Sequence, residues 1–384
     1  MKPIGILGGG QLARMLVLEA HRRGLPVAVL SPLVSDPARE VTGHWVQGDP
    51  GKASDLLAFM KKCSVVTFES EFYNAEVIKT ASKETGVPVH PEPSLMGLLQ
   101  DRLTQKQLFD EYEIPTSPWR PVDTLEDAVV AWVALNEKVV FKKRRGGYDG
   151  YGTFVVKSEK DLTDFARKNG EGKAPEAFIA ESWIRFRREV AVIAVRDLNG
   201  AVFFYPFVES RQENSRCLWV QGPLRETRAH EAMKKKIAKF LTGIGYVGAM
   251  GIEMFETQNN ELIVNEIAPR VHNSGHYTMD AFSMSQFALH LRAVSGVASE
   301  GLAIPLSKAF AMWNLLGSEK PAAKTLTPWR AQAISGSATL HWYGKFESRA
   351  GRKMGHVNAL SKTPKAALDL AKKTAVKLKK QIGY

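Results

Sequence analysis

Two glutamates in the stretch "GIEMFETQNNELIVNE", Glu253 and Glu266, have the spacing that most directly implies chemistry. With Asn259-Asn260 as a two-residue hairpin turn, Gln258 faces Glu261 and, counting outward, Glu253 faces Glu266. Carboxylates directly opposite on paired strands repel at a cost of about 1 kcal/mol, and a divalent cation between them turns that cost into a site. Magnesium suits it, because hard oxygen ligands, waters and substrate phosphates form its usual shell. Two exposed acids, or a shifted register, are the competing readings. The chain runs on into "NEIAPRVHNSGH", where Arg270, His272, Asn273 and His276 crowd one turn. Guanidinium and imidazole groups this close to paired carboxylates fit an anion or substrate pocket.

Cations gather in "VVFKKRRGGYDGYG", residues 139–152. Strand alternation puts Val140, Lys142 and Arg144 on one face and Val139, Phe141 and Lys143 on the other. Lys142 therefore projects just before a glycine loop, whose backbone N–H groups together with an ammonium can cradle a polyphosphate. No G-K-[ST] follows, so the loop is not a Walker A sequence, and a solvated basic hairpin fits the composition equally well. In "GGGQLA", Gly8, Gly10 and Ala13 match the pattern G-x-G-x-x-[GA] between a strand and a helix. A nicotinamide enzyme would also place an acid at the end of the next strand, but "VAVLSPLVSD" ends in Ser31-Pro32 with Asp36 beyond. That disfavours a dinucleotide and leaves the phosphate of another ligand, or a plain tight turn. "GRKMGH" adds Arg352 and Lys353 on a further glycine-flanked strand, which alone reads as surface charge.

The elements that must position these groups change texture along the chain. "PIGILGGG", "LPVAVLS" and "CSVVTFES" read as strands alternating with the helices "QLARMLVLEAHRRG", "ASDLLAFMKK" and "NAEVIKTASKETG", which predicts a parallel, doubly wound sheet over roughly the first 100 residues. A small α+β module follows, from the helix in "DRLTQKQLFDEYEIP" through "DTLEDAVVAWVALNE", "KVVFKKR" and "GTFVVKS". From "EAFIAESWI" onward, strands ("REVAVIAVRD", "AVFFYPFVES", "GAMGIEMFET", "ELIVNEIA") surround the helix "RAHEAMKKKIAKFLTGIG". A helix at "MDAFSMSQFALHLRAVSG" and the strands "KAFAMWNLLG" and "ATLHWYG" complete the chain.

The 384 residues are enough for two or three packed units, and 44% hydrophobic with 24% charged residues implies a soluble globular protein. Cys63 and Cys217 lack metal-ligand spacing, which argues against a disulfide framework or a cysteine zinc site and points to a reducing cytoplasm. The first residues carry no signal-peptide pattern, and no stretch of about 18 apolar residues could span a membrane. A net charge of +12 suits nucleic acid or small phosphorylated ligands. Part of that excess lies in "KKTAVKLKKQIGY", the solvated face of an amphipathic helix. Cations placed beside carboxylates, without an aromatic-basic stripe, argue against a nucleic-acid partner.

Taken in order, "GGGQLARM", "DRLTQKQLFD", "GGYDGYG", "GYVGAMGIEMF", "NEIAPRVHNSGH", "SQFALHLRA", "HWYGK" and "GRKMGHVN" resemble the ATP-grasp superfamily, and within it the N5-carboxyaminoimidazole ribonucleotide synthetases of purine biosynthesis. The resemblance implies an α/β ATP-grasp fold with an N-terminal Rossmann-like (pre-ATP-grasp) domain over 1–103 and an α+β lid domain over 104–175. It assigns the ATP-grasp core to 176–300 and a C-terminal α+β subdomain completing the substrate site to 301–384. By motif position it implies ATP ligands at Arg102 and Lys142, in the lid loop at Gly147, Tyr148, Asp149, Gly150, Tyr151, Gly152 and Thr153, and in the adenine hinge at Glu181, Ser182, Trp183 and Ile184. Glu189 matches the ribose acid, Gln212 a phosphate-side position, and Asn265 lies beside Glu266. Glu253 and Glu266 match the magnesium carboxylates, the pair that the hairpin count selects.

The aminoimidazole ribonucleotide site carries over onto Gln11, Leu12, Asp149, Arg270, His272, Arg352 and Lys353, with Glu71 a weaker candidate. Of these, Asp149, Arg270, His272 and Lys353 are implied to take part in the chemistry, with bicarbonate as co-substrate and a cytoplasmic homodimer as the working form. The chain departs from the pattern at Tyr151, where a basic residue is common, and at Ser210 and Gln212, which replace an Asn and a His. Two other readings share the nucleotide site: a formate-using glycinamide ribonucleotide transformylase, and a subunit that binds nucleotide without turning it over. The pairing of "GGYDG" with "GRKMGH" argues against the first, and the presence of Glu253, Glu266 and Lys142 against the second.

Overall fold

The apolar run Ile4–Leu7 (β1) is fully buried and stops at Gly8, whose φ of +101° lets the chain turn at once toward the helix Gln11–Arg22. A Cβ at Gly8 would lie 2.2 Å from the Tyr73 hydroxyl, so the turn needs glycine for space as well as for backbone. With Val27–Ser31 (β2), Trp45–Gln47 (β3) and Val65–Phe68 (β4), β1 forms a parallel sheet ordered β3-β2-β1-β4. Parallel neighbours need crossover connections, and the helices Gln11–Arg22 and Ala53–Met60 supply two of them. The computed structural model describes residues 2–147, 150–170, 177–297, 303–317 and 336–382.

A second, antiparallel sheet is built from Trp119–Val122 (β5), Val139–Lys143 (β6), Thr153–Val156 (β7) and Phe178–Ser182 (β8), in the order β5-β8-β6-β7. The alternation expected in β6 holds: Val139 and Phe141 enter a small core with Phe165 and Phe178, and Lys142 points away from it. This sheet runs to Ser182, beyond the lid boundary expected at 175. At the other end, the helix Arg102–Glu111 sends Phe109 into the larger core beside Phe240, so it supports the lid from outside. β8 and the strand after it are separated by only a few residues, and composition alone does not show that they join different sheets.

That larger core is organised by Phe186–Arg196 (β9), Val202–Phe204 (β10), Val208–Glu213 (β11), Arg216–Gly222 (β12), Gly248–Thr257 (β13), Leu262–Ala268 (β14), Ala309–Leu316 (β15), Ala338–Trp342 (β16) and Lys353–Ser361 (β17). Among the described residues they form one nine-stranded sheet, β14-β13-β9-β11-β12-β15-β17-β16, with β10 also paired to β9. The segment 301–384 therefore continues the core sheet. β9 reads as an unbroken apolar run because both its faces are covered. Ala191, Ile193 and Val195 share a core with the helices Gln11–Arg22 and Gln286–Val294, while Val190, Val192 and Ala194 pack toward the helix Arg228–Gly243.

The single helix expected over "MDAFSMSQFALHLRAVSG" is two, Thr278–Ala281 and Gln286–Val294. Ser285 starts the second by accepting the Ala288 N–H at 3.2 Å. The last helix, Pro364–Ile382, lays Ala367, Ala371, Ala375 and Leu378 on β15 and β17, as its basic amphipathic sequence suggested. No helix among the described residues is long and apolar enough to cross a membrane.

Candidate active site

Glu253 and Glu266 do face each other across β13 and β14, by a route different from the counted one. The chain turns through three residues, with the Thr257 N–H bonded to the Glu261 carbonyl at 2.9 Å and Asn260 at φ +61°. The longer turn shifts the register so that Met254 pairs with Val264, and a bulge at Asn265 shifts it back. The bulge also aims a side chain: Asn265 Oδ1 accepts the Lys142 ammonium at 2.9 Å, joining β6 of the lid to the carboxylate pair on the core sheet.

Lys142 also lies 3.0 Å from Glu181 Oε1. The other carboxylate oxygen, Oε2, accepts the Ser117 hydroxyl at 2.6 Å and sits 3.1 Å from Lys106. Burial alone would raise the Glu181 carboxyl, but the Lys106 and Lys142 ammonium groups hold it down at about 2. Glu266 behaves alike: burial opposes its charge, yet Arg102, which donates to it, and Lys142 hold it at about 2. Lys106 stands four residues after Arg102 in one helix, so both reach the same side. That spacing was visible in the sequence, but the burial of an ammonium group was not.

The four-cation run divides its work. Lys142 enters this site, and Lys143 lies 5.0 Å from the Tyr151 ring, which is 61% exposed. Arg144 and Arg145 both bind Asp101, at 2.7 Å and 3.3 Å, and Asp101 also caps the helix carrying Arg102 through the Leu103 N–H. Arg145 is thus committed elsewhere and does not replace a cation at Tyr151. At the described ends of the glycine loop, a Cβ on Gly147 would come within 3.6 Å of the Arg102 guanidinium, and one on Gly150 within 2.3 Å of Ser215. Gly152 fits against the Lys143 stem, and Thr153 pairs with Lys142. Tyr148 and Asp149 lie outside the described residues. Beyond Glu181, Ser182 ends β8, Trp183 carries Lys157 4.1 Å over its ring, and half-buried Ile184 leads toward Glu189. Burial raises the Glu189 carboxyl, although the Gln212 N–H donates to it at 2.9 Å.

Beside the carboxylate pair, Arg270 holds Glu71 through Nε and Nη2, the latter 2.9 Å from Oε1. Glu69, from the same loop after β4, accepts the Gly10 and Ala13 N–H groups at 2.8 Å and 3.2 Å. A carboxylate of the chain itself therefore takes part of the helix start that the glycine pattern offered to a phosphate. Gln11 and Leu12 lie between those two donors. His272 Nδ1 accepts the Ser274 N–H at 3.3 Å, which leaves the ring proton on Nε2, 3.8 Å from Glu253 Oε1. Burial, then the charges of Arg270 and Lys353, push the His272 imidazolium down to about 3, so it serves as a neutral hydrogen-bond donor. Gly251 leaves room for this ring, since a Cβ there would be 2.4 Å from the His272 Cβ. Arg352 instead donates to the Glu347 carbonyl at 2.8 Å in an exposed loop.

Sequence reasoning missed Lys106, Ser117, Asp101 and Glu69. The site thus has an anion-facing half, with Arg102 and Lys142 next to opposed carboxylates, and a second half formed by Arg270, Glu71, His272 and the glycine turn. With a lid sheet hinged over a core sheet and cations converging there, this arrangement defines an ATP-grasp enzyme. A model of the ribonucleotide synthetase preATP-grasp domain matches residues 1–100, an ATP-grasp domain model matches 107–287, and a phosphoribosylaminoimidazole carboxylase C-terminal domain model matches 311–369. The chain is 37% identical over 355 residues to the N5-carboxyaminoimidazole ribonucleotide synthase of Synechococcus elongatus, covering 92% of this chain and 88% of that protein.

Among solved structures it is similar to the Staphylococcus aureus N5-carboxyaminoimidazole synthetase complexed with ADP, with a TM-score of 0.88, 31% identity and 97% of each chain covered. The Aspergillus clavatus N5-carboxyaminoimidazole synthase in complex with ADP and 5-aminoimidazole ribonucleotide is alike at a TM-score of 0.87 and 28% identity, covering 98% of this chain and 99% of that one. The chain belongs to the N5-carboxyaminoimidazole ribonucleotide synthase family, within the ATP-grasp ligases.

Proposed function

We propose that the chain uses ATP, magnesium and bicarbonate to carboxylate the exocyclic amine of 5-aminoimidazole ribonucleotide, releasing ADP and phosphate in purine synthesis. The observation that carries this reading is the contact of Lys142 with Asn265, which puts a phosphate-seeking cation next to the opposed Glu253 and Glu266 and close to the Arg270 pocket. Bicarbonate oxygen attacks the γ-phosphorus of ATP, ADP leaves, and carboxyphosphate forms. Its collapse gives phosphate and carbon dioxide, the amine nitrogen bonds to that carbon, and the amine proton is lost.

Arg102 and Lys142 bind the phosphates and spread the negative charge that moves during transfer. Glu253 and Glu266 are the protein donors for magnesium, which when bound neutralises phosphate charge. A site with two hard carboxylates opposite one another fits an ion that draws its other ligands from waters and phosphates.

Arg270 supplies positive charge to bicarbonate and its phosphorylated form, and His272 donates from Nε2. The family resemblance supports Asp149 at the amine, Lys353 on the ribonucleotide, the lid loop over the phosphates, and a cytoplasmic homodimer. Closing the lid keeps carboxyphosphate from water. Turnover with heavy-oxygen-labelled bicarbonate tests the sequence of bonds: labelled phosphate is expected, and unlabelled phosphate contradicts it.

A further inference from the structure

Lys106 is a buried ammonium that the chemistry above does not use. Its side chain is 2% exposed, and it donates to the Thr116 hydroxyl and to Ser117 Oγ at 3.2 Å while lying 3.1 Å from Glu181 Oε2. Ser117 passes its own proton to that same oxygen at 2.6 Å. Oε2 is therefore saturated by groups that cannot leave. Oε1 faces Lys142 at 3.0 Å. The ammonium of Lys142 is directed to Asn265 as well, at 2.9 Å. One carboxylate thus faces two cations: Lys106, which also donates to Thr116 and Ser117, and Lys142, which also donates to Asn265.

We propose that Lys106 is a positioning residue for nucleotide binding: by neutralising Glu181 from below, it keeps Lys142 available to the phosphates of ATP. Without Lys106, the whole charge of Glu181 falls on Lys142 in a buried setting, where an unshared ion pair is strong. Lys142 then stays on the hinge carboxylate, and the phosphates lose a ligand. Lys106 touches no substrate and acts through Glu181 on Lys142. Burial pushes the Lys106 ammonium down to about 8, which still leaves it charged at neutral pH. This inference rests on the reading of Lys142 as a phosphate ligand.

The test is a double-mutant cycle on the full chain, read by the dissociation constants of ATP and adenosine. Lys106→Met is expected to weaken ATP roughly tenfold with little change in adenosine, and the same substitution made in a Glu181→Gln background is expected to weaken ATP little beyond Glu181→Gln alone, a coupling in the usual range for contacting charges. Lys106→Gln, closer in polarity, is the second variant should the first fail to fold, with the same selective loss expected. An unchanged ATP constant, an equal loss for adenosine, or the same roughly tenfold loss in the Glu181→Gln background overturns the proposal and leaves Lys106 a structural residue. Lys142→Met is measured alongside: if it leaves ATP affinity intact, the phosphate role of Lys142 fails and the proposal falls with it.

Discussion

The two halves of the site neutralise their charges in different ways. On the ATP side, Arg102 rests on Glu266 and Lys142 between Glu181 and Asn265, so each cation has a partner that an incoming ligand can replace. On the side proposed for the ribonucleotide, Glu69 is fixed by backbone N–H groups, His272 is neutral, and Arg270 is paired with Glu71. The first half works by exchanging charges, and the second by holding a shape in which few charges move. Removing one charge should therefore damage ATP binding out of proportion, while across the cleft a substitution at Lys353 should act on ribonucleotide binding and one at Arg270 or His272 on the carboxylation step.

The largest break comes from Glu266→Ala. It removes a carboxylate proposed to hold magnesium together with the partner of Arg102, and should lower the rate of ATP hydrolysis by about 10³-fold with an unchanged far-UV circular dichroism spectrum. Next, Lys353→Ala should raise the KM for the ribonucleotide roughly 10- to 100-fold, the cost of losing a charged hydrogen-bond donor. The KM for ATP should stay within about twofold, as steady-state kinetics would show. Asn265→Ala deletes the bulge acceptor of Lys142 and should weaken ATP about tenfold or less, seen by calorimetry, without touching the ribonucleotide.

A pH scan sharpens the same contrast. The Glu181 carboxyl is held at about 2 against an ordinary value of 4.5, so its stabilising contribution is complete above 4.5 and is lost as pH falls toward 2. The melting temperature of Glu181→Gln should accordingly fall less steeply than that of wild type across this window. The smallest effect is expected at Tyr151→Arg: the ring is 61% exposed and lies under Lys143, so ATP and ribonucleotide KM values should move by no more than about threefold.

Much of the fold was legible where periodicity was strong. The βα alternation of the first sheet, the basic amphipathic last helix and the alternation in β6 followed from side-chain pattern. β3 was passed over because Trp45–Gln47 is too short to show a period, and β12 because "RCLWVQG" mixes polar and apolar residues. The break at Ser285 depends on a capping hydroxyl within a continuous apolar pattern. Within the site, the opposition of Glu253 and Glu266 was reached from a two-residue turn that does not occur; the three-residue turn and the bulge at Asn265 compensate one another. Lys106 and Glu69 were illegible because a lysine or glutamate in sequence reads as solvated until its buried partners are known.

The most direct test of the central claim is bicarbonate-dependent ADP release by the full chain, measured with and without 5-aminoimidazole ribonucleotide. The ribonucleotide is expected to stimulate ADP release and to be consumed in equal amount. ADP release indifferent to the ribonucleotide would contradict it.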